Sequence, residues 1–523
     1  MKSEAGATVS GWAQARGPSH PALREDLRVD VCVVGAGIAG LSAAYFLAGD
    51  GKRVVVLDDG VPGGGETGRT SAHLSCALDD GFVNIEETHG RAAARLAAES
   101  HATAIDRIES IVAEERISCE FERVDGFLMA GRAHDRRFME QELDAAHRAG
   151  LTKAVMLARA PIKGFESGPT LRFPHQAQFH PLKYLAGLER ALVGRGGRVY
   201  AGTHVTGIAG DAPLTVSTAA GHVVTADAVV VATNSPVNDL VAVHTKQAAY
   251  RSYVVTARVP AGSVTRALFW DTEDPYHYVR TRPAEASDGL DVLIVGGEDH
   301  RTGEATDASE RWDRLETWAR ERFPQMGGIE HRWSGQVMEP VDGLAYIGKN
   351  PMDGRNVYII TGDSGMGLTH GTIGGMLVAD LVGGRASTWA QLYDPSRIRA
   401  RSAFEWLKEN LDTARQYGRW LTPGDVRTVD EVPRGHGAVI RRGLAKVAVY
   451  RDHSGRVHEF SAVCPHLGCI VSWNDGERSF DCPAHGSRFD QQGTVVNGPA
   501  NCGLTPLEEA PEGVPAPGAP HRR

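Results

Sequence analysis

Short runs of apolar residues, separated by turns, predict several buried strands in the first four-fifths of the chain. Residues 29–34 form the first run, which is apolar apart from Asp30, and residues 53–57 form the second. Between them, residues 41–48 have the composition of a helix. Apolar runs without polar alternation are typical of parallel strands that are covered on both faces. The order strand, helix, strand within about thirty residues therefore predicts one βαβ unit.

Later runs extend this pattern. Residues 227–232 and 356–361 predict further buried strands, whereas residues 253–259 and 291–295 predict a sheet of a second, interleaved region. Aromatic and aliphatic residues recur at helical spacing over residues 310–323, and we interpret this stretch as a helix packed on a core. The predicted fold class is an α/β Rossmann-type domain interleaved with an α+β domain.

The pattern changes after the helix predicted at residues 402–411. Pro423 and Gly424 break the chain there, and only short strands with turns follow. Such strands are typical of an all-β domain, for which we expect a boundary near Leu421. The predicted divisions of the chain are a flexible tail at 1–28, the two interleaved domains at 29–420, an all-β domain at 421–510, and a flexible tail at 511–523.

Composition and charge exclude several classes of protein. The 523 residues carry a formal net charge of −9, which gives no positive surface for nucleic acid. The chain contains no run of about 18 apolar residues, so we predict no membrane span. The first residues also lack the basic and apolar regions of a signal peptide. We therefore expect a cytoplasmic protein.

Four of the seven cysteines lie in the last sixty residues, which favours a metal site over a disulfide framework.

The sequence GAGIAG follows the first predicted strand and supplies Gly35, Gly37 and Gly40 in the spacing G-x-G-x-x-G. In dinucleotide-binding folds the first glycine makes a tight turn, the second lets the backbone approach a pyrophosphate, and the third lets helix pack on strand. Asp58 ends the second strand, where an acidic residue binds a ribose hydroxyl. An ordinary glycine-rich turn is the alternative, but the strand before, the helix after and Asp58 favour a cofactor, either FAD or NAD.

A second glycine-rich turn occupies residues 362–371 and precedes an apolar helix predicted at 376–381. No acidic residue lies beyond it at ribose distance, so we interpret it as a loop that closes over a cofactor placed by the first motif. Residues 150–260 contain no further G-x-G-x-x-G motif for a nicotinamide donor. The sequence therefore predicts that electrons enter from an organic substrate.

Residues 29 to about 385 resemble the FAD-dependent oxidoreductases of the D-amino-acid oxidase, glycine oxidase and sarcosine oxidase family. The matching features are GAGIAG with Asp58, the loop GETGRTSAHLS, and VDGLAYIG followed by TGDSGMGLTHG. Asp363 and Met366 depart from the histidine and aromatic residue that the family often carries, so the resemblance leaves the substrate open. It implies bound FAD in contact with Gly35, Gly37, Ile38, Ala39, Gly40, Asp58, Thr70, Ser71, Val205, Gly365, Met366, Gly367, Leu368 and Thr369.

A pair of mixed cysteine–histidine loops forms the second motif. Cys464-x-His466 and Cys482-x-x-His485 are separated by fifteen residues. Two thiolates and two imidazoles can hold either zinc or a Rieske [2Fe–2S] cluster. Zinc fingers usually pair cysteine with cysteine and histidine with histidine, so the mixed loops favour the Rieske cluster.

Residues 425 to about 507 resemble Rieske domains through CPHLGC, CPAHGSRFD and the Gly-Pro-Ala turn at 498–500. The resemblance implies that His466 and His485 lie at an exposed tip, where electrons leave or arrive. It also implies that Ser487 bonds a cluster sulfide.

Two departures from respiratory Rieske proteins affect the cluster. Ala484 occupies the place of the cysteine that would pair with Cys469, so we expect no disulfide there. Phe489 replaces a tyrosine whose hydroxyl would bond a ligand sulfur. Because a lost donor disfavours the reduced cluster, we expect a lower potential than in the respiratory type.

Together the motifs predict an oxidoreductase that converts two-electron into one-electron chemistry. We expect an amine or amino-acid-like substrate to be oxidised at FAD, with electrons passed singly through the cluster to a protein or small-molecule acceptor. Candidate substrate residues are Arg251, Tyr278, Arg280 and His300. Either arginine could bind a substrate carboxylate through two hydrogen bonds from its guanidinium group. The alternatives are an electron-transfer component that serves another enzyme and a redox sensor.

Overall fold

The computed structural model describes residues 5–15, 17–131, 134, 136–238, 243–284, 289–351, 353–399 and 402–507. The strands are β1 (Leu27–Val34), β2 (Val54–Leu57), β3 (His73–Leu74), β4 (Glu122–Met129), β5 (Val155–Leu157), β6 (Thr170–Gln178), β7 (Arg198–Tyr200), β8 (Val205–Ala209), β9 (Leu214–Thr218), β10 (Val223–Val231), β11 (Gln247–Pro260), β12 (Leu268–Asp271), β13 (His277–Pro283), β14 (Leu290–Arg301), β15 (Ile329–Pro340), β16 (Tyr346–Lys349), β17 (Val357–Thr361), β18 (His436–Arg442), β19 (Ala445–Arg451), β20 (Val457–Ser461), β21 (Ser472–Asn474), β22 (Ser479–Asp481), β23 (Arg488–Phe489) and β24 (Val495–Asn497). The α-helices are α1 (Ile38–Gly49), α2 (Phe82–His89), α3 (Arg91–Glu114), α4 (Arg136–Arg148), α5 (Pro181–Gly194), α6 (Ala308–Arg322), α7 (Gly367–Val382), α8 (Ala390–Tyr393) and α9 (Ala403–Gln416).

The predicted βαβ unit lies at the centre of an α/β sheet. This sheet has the strand order β16-β17-β10-β1-β2-β7. The strand β1 pairs in parallel with both β10 and β2, so its apolar run is enclosed on both sides. On the side of β10 away from β1, the hairpin β8–β9 pairs with the first half of the strand and β17 with the second half, and β16 closes this edge antiparallel to β17. The parallel core therefore brings the carboxyl ends of β1, β2 and β17 to one edge.

The helix α7 begins earlier than the sequence predicted. It was expected at residues 376–381, but it starts at Gly367 and takes in much of the second glycine-rich run. The reason is the close approach of α7 to α1. A Cβ on Gly371 would lie 2.8 Å from Ile38, and one on Gly375 would lie 2.7 Å from Ser42. Glycine is needed there for helix packing, so the run is only partly a loop.

A second, mixed sheet supplies the interleaved region. Its order is β15-β11-β14-β13-β12-β4-β6-β3, with β5 paired to β6. The predicted helix at 310–323 is α6, whose Trp312 and Leu315 are buried against this sheet together with Tyr253. The aromatic stripe of α6 therefore serves core packing.

Two small antiparallel sheets, β18-β19-β20 and β21-β22-β23-β24, form the C-terminal region. Among the described residues from 422 to 507, helical structure is limited to a 3₁₀ turn at Val429–Glu431. The predicted fold class is thus confirmed: an α/β Rossmann-type domain with an interleaved α+β domain, followed by an all-β domain. Within the described ranges, no helix combines the length and the apolar character needed to cross a membrane.

The prediction of a flexible tail at residues 1–28 is wrong for the part that the structure describes. Trp12 is only 1% exposed, and its indole Nε1 donates to the Thr70 carbonyl at 2.7 Å. Thr8 donates through its hydroxyl to Glu477 of the C-terminal domain at 2.6 Å. A buried indole orders this segment, whereas its small and polar residues suggested a loose chain. The predicted tail at 511–523 lies outside the described residues.

Candidate functional site

A cavity of about 540 Å³ is enclosed jointly by the two large sheets and the C-terminal domain. The turn after β1, residues of β11 and the segment around β24 all contribute to its wall. Of the fourteen residues predicted to contact FAD, all except Gly40 and Thr369 line this cavity. The structure therefore brings both glycine-rich turns to one site.

Tight backbone packing fixes the first turn. Gly35 has a φ of +102°, and a Cβ there would lie 2.4 Å from the Ala232 carbonyl oxygen. A Cβ on Gly40 would lie 1.9 Å from the Gly35 carbonyl oxygen, so Gly40 serves packing within the turn and does not line the cavity. Gly37 leaves the N-terminus of α1 open to the cavity, where helix amides bind phosphate groups. This arrangement fits the pyrophosphate of a dinucleotide.

Asp58 lies at the carboxyl end of β2, on the cavity wall. Its carboxylate accepts hydrogen bonds from the amides of Ala36 at 2.6 Å and Gly60 at 2.9 Å. Desolvation and the neighbouring charge of Asp59 raise the pKa of Asp58 to about 6, although the two amide bonds oppose this shift. The acid stands where dinucleotide folds bind a ribose hydroxyl.

The second turn meets an acidic residue that the sequence analysis missed. A Cβ on Gly365 would lie 2.3 Å from Oδ2 of Asp79, and Asp79 lines the cavity. The side chain of Tyr276 adjoins the Asp79 carboxylate and favours its charged form. Although open to the cavity, Asp79 is enclosed by protein, and this desolvation, with the charge of Asp80, raises its pKa to about 7. The consecutive acids Asp79 and Asp80 after an apolar run were the available signal.

Among the predicted substrate residues, Tyr278 lines the cavity. Its hydroxyl lies 2.7 Å from Oγ of Ser252, which also lines the cavity. Arg251 does not line it; this side chain is fully buried and forms an ion pair with Glu477 at 3.2 Å. The placement of Arg251 does not support a contact with a substrate carboxylate, because its charge is already matched inside the protein.

Arg280 and His300 also lie away from the cavity wall. Arg280 donates to the carbonyls of Ala72 and Phe179. His300 stacks on Tyr253, and its Nε2 lies 3.0 Å from the tyrosine hydroxyl. These contacts assign both side chains to packing, which residue type alone could not reveal.

Thr369 is likewise directed away from the cavity. Its hydroxyl lies 2.8 Å from Nδ1 of His101, whose Nε2 lies 3.1 Å from Nε2 of His370. Burial lowers the pKa of both imidazoles, that of His370 to about 4. Two neutral histidines therefore brace the first turn of α7 from behind.

The two cysteine–histidine loops converge in the C-terminal domain. The side chains of Cys464 and Cys482, the two predicted thiol ligands, adjoin each other and are buried, and buried Cys469 also adjoins Cys482. Ser487 contacts the Cys464 thiol and accepts a hydrogen bond from the Ala500 amide at 3.0 Å. The seven cysteines, all within the described residues, form no disulfide. The loops thus present two thiols beside the Gly-Pro-Ala turn at 498–500.

The two histidines face each other next to this thiol pair. The rings of His466 and His485 have centroids 5.0 Å apart and are nearly perpendicular. Nδ1 of His485 is buried and makes no hydrogen bond, as a ring nitrogen reserved for a metal would be. A [2Fe–2S] cluster divides its ligands between two irons, so this donor set fits the cluster.

The expectation of an exposed tip is wrong for His485, which is only 6% exposed, whereas His466 is half-buried. His244, in the 3₁₀ turn His244–Lys246 just before β11, packs on both predicted ligand rings, with its centroid 5.0 Å from that of His466 and 5.9 Å from that of His485. Sequence reasoning could not find this contact, because it joins residues more than two hundred positions apart.

Residues 30–381 match the family model described as "FAD dependent oxidoreductase" (DAO). The chain belongs to this family of FAD-dependent oxidoreductases. Residues 422–508 match the model of the Rieske [2Fe-2S] domain. The flavoprotein therefore combines the two domain types, with FAD and a [2Fe–2S] cluster as cofactors, and we propose that the boundary between them lies near Leu421.

One relative matches nearly the whole chain, and two others match about 70% of it. YhfW of Bacillus subtilis (strain 168), described as a Rieske 2Fe-2S iron-sulfur protein, is 30% identical over 496 residues, covering 94% of this chain and 95% of its own. Gamma-glutamylputrescine oxidoreductase of Escherichia coli (strain K12) is 29% identical over 382 residues, covering 70% of this chain and 86% of its own. The crystal structure of glycine oxidase from Geobacillus kaustophilus superimposes with a TM-score of 0.59 at 19% identity, over 71% of this chain and all of that chain. The last comparison shows a shared fold.

Proposed function

We propose that the protein oxidises an amine or amino-acid-like substrate at FAD and passes the electrons singly through the Rieske cluster to an external acceptor. The main observation that supports an amine or amino-acid-like substrate is the position of Asp79. Its carboxylate meets Gly365 in the turn predicted to hold the flavin, and Tyr276 and Tyr278 line the same cavity. A negative charge beside aromatic rings favours an ammonium group.

The charges on the cavity wall further restrict the class of substrate that the cavity can bind. Among the described residues, the arginines and lysines that line the cavity are Arg69 and Arg478. Arg69 forms an ion pair with Glu477 at 3.0 Å and also donates to the Ser334 carbonyl. Arg251 and Arg280 lie elsewhere. The wall around Asp79 thus offers a carboxylate and phenol hydroxyls for a cation, and we infer that an amine is recognised through its nitrogen.

The protein residues and the cofactors have separate roles in this proposal. Bound FAD supplies a two-electron acceptor and the cluster a one-electron carrier. Asp79, with a pKa of about 7, can take the proton that an ammonium substrate must lose before it is oxidised. Tyr276 adjoins the Asp79 carboxylate and favours its charged form. Tyr278 and Ser252 complete the polar wall.

The Escherichia coli relative is named for an amine substrate, which supports the same class here. Electron transfer to the cluster is supported by the contact between domains. Residues of the Rieske domain, among them Asn497 and Gly498, line the cavity that holds the FAD motif. A cofactor in this cavity would therefore be in contact with the domain that carries the predicted cluster ligands.

An anaerobic titration tests the proposal. Purified holoprotein is mixed with amines, amino acids and hydroxy acids, and the flavin absorbance is followed. We expect bleaching by amines that carry an ammonium group, with the Rieske signal appearing in electron paramagnetic resonance spectra. Bleaching by hydroxy acids alone would contradict the substrate class. Bleaching only by a reduced partner protein would favour an electron-transfer component instead.

A further inference from the structure

Two side chains of the FAD-dependent domain contact the cluster loops at the same place. Gln336 in β15 lines the cavity, and its Nε2 donates to the carbonyl of Gly486 at 3.1 Å. Gly486 directly follows the ligand His485. A Cβ on Gly486 would lie 2.3 Å from the Cβ of Ala249 in β11, so the loop rests directly on that strand. Gln336 therefore spans from the cavity wall to the second ligand loop.

His244 forms the second contact. It is 1% exposed and packs on the rings of His466 and His485. Its Nε2 lies 3.1 Å from the Pro236 carbonyl, which can only accept, so Nε2 donates. Nδ1 then faces the hydroxyl of Ser235 at 3.4 Å. The ring is thereby held in one orientation from the side of the flavin domain.

The segment that orients His244 also adjoins the cavity. Asn234 and Val237 line the cavity on either side of Ser235 and Pro236. A Cβ on Gly498, in the Gly-Pro-Ala turn, would lie 3.3 Å from Val237. The same short stretch of chain therefore touches the cavity, the turn that covers the cluster, and His244.

We propose that His244 and Gln336 are positioning residues that fix the cluster ligands against the flavin cavity, so that electrons cross between the two cofactors within one chain through this contact. This inference rests on the proposed function for the direction of electron flow. The transfer would move one electron at a time from the reduced flavin to the [2Fe–2S] cluster, and a one-electron acceptor in solution would take each electron from the cluster before the next is transferred. His244 additionally keeps water from the ligand imidazoles.

The test compares His244→Ala, His244→Phe and Gln336→Leu with His436→Ala as the control. His436 is a half-exposed histidine of the Rieske domain whose Nδ1 lies 2.8 Å from Asp475. The holoproteins are irradiated anaerobically with EDTA, which donates electrons to the photoexcited flavin, so that the flavin is reduced without an enzymatic substrate. Rapid freezing and electron paramagnetic resonance then give the rate at which the cluster is reduced. A separate measurement in D₂O counts exchangeable deuterons near the reduced cluster by electron spin echo modulation.

We expect cluster reduction to slow about tenfold or more in His244→Ala and Gln336→Leu, as for other residues that orient metal ligands. His244→Ala should also gain deuteron modulation, whereas His244→Phe, which keeps a ring against the imidazoles, should not. The control should match wild type in both measurements. Wild-type rates in His244→Ala and Gln336→Leu with the cluster intact would overturn the proposal. Should His244→Ala lose its cluster, the rate of cluster reduction in Gln336→Leu still decides. Because the flavin is reduced by light, a failure to find an amine substrate leaves this result unaffected.

Discussion

Nη2 of Arg251 lies 3.2 Å from Oε1 of Glu477, and this buried ion pair joins the FAD-dependent domain to the Rieske domain. Arg69 reaches the same carboxylate oxygen at 3.0 Å. Burial alone would raise the pKa of Glu477, but the charges of Arg69, Arg251 and Arg488 outweigh it and lower the pKa to about 2. The cofactor sites are thus held together by an ionic contact in the interior.

We predict that Glu477→Gln destabilises the protein by about 3–5 kcal/mol, because removal of one partner leaves buried charges unmatched. Chemical denaturation followed by circular dichroism measures the loss. The control is Glu330→Gln, which breaks the surface pair with Arg258 at 2.9 Å and should cost about 1 kcal/mol or less. Equal losses in the two variants would contradict a structural role for the buried pair.

The same carboxylate makes stability depend on pH. Because folding lowers the pKa of Glu477 from its usual 4.5 to about 2, its contribution is fully present above pH 4.5 and is lost as the pH falls through 2. Wild type should therefore lose stability over this acid range more steeply than Glu477→Gln, which has no proton to bind there. Denaturation midpoints measured between pH 2 and pH 6 give the comparison.

The cluster ligands give a second prediction. Cys482→Ser should lose the [2Fe–2S] cluster, because Cys482 and Cys464 supply the thiols of the two mixed cysteine–histidine loops. Cys469→Ala should keep the cluster, although Cys469 is also buried. Ala484 stands where the disulfide partner of Cys469 would lie, so Cys469 has no disulfide to lose. Iron and acid-labile sulfide contents distinguish the variants. Stoichiometric zinc without iron in anaerobically purified wild type would refute the Rieske assignment.

The third prediction concerns the cluster potential. Rieske potentials span roughly −150 to +300 mV and depend on hydrogen bonds to the sulfurs. Phe489 is fully buried and supplies no hydroxyl, so the wild-type potential should lie in the low part of this range. Phe489→Tyr should raise it by adding a donor, as measured by potentiometric titration with electron paramagnetic resonance. A wild-type midpoint near the top of the range would show that this position does not set the potential.

The fourth prediction concerns Asp79. The group can accept a proton only when ionised, and its pKa is about 7. Flavin reduction by a saturating amine should therefore rise with pH through about 7, and Asp79→Asn should lose this step and slow about a hundredfold or more. The matched control, Asp106→Asn, removes an exposed acid paired with Arg123 and should keep the wild-type profile. An unchanged pH profile in Asp79→Asn would exclude Asp79 as the proton acceptor.

Motifs of contiguous residues were predictable from the sequence. The turn at Gly35, the acid at Asp58 and the two cysteine–histidine loops each lie within a short stretch of chain, where spacing alone restricts the geometry. The extent of α7 was not predictable in the same way. Its glycines serve close packing on α1, and an isolated glycine-rich run gives the same signal for a loop as for a tightly packed helix.

The sequence by itself determined the fold class and the two cofactors, because local spacing encodes the turns that bind them. Only the tertiary structure decided which charged side chains face the cavity. Arg251 became the partner of Glu477, Asp79 reached the second glycine-rich turn, and His244 covered the cluster ligands. Each of these outcomes depends on a contact between distant segments of the chain. Burial then determines whether a charged side chain pairs with another protein group or faces the cavity.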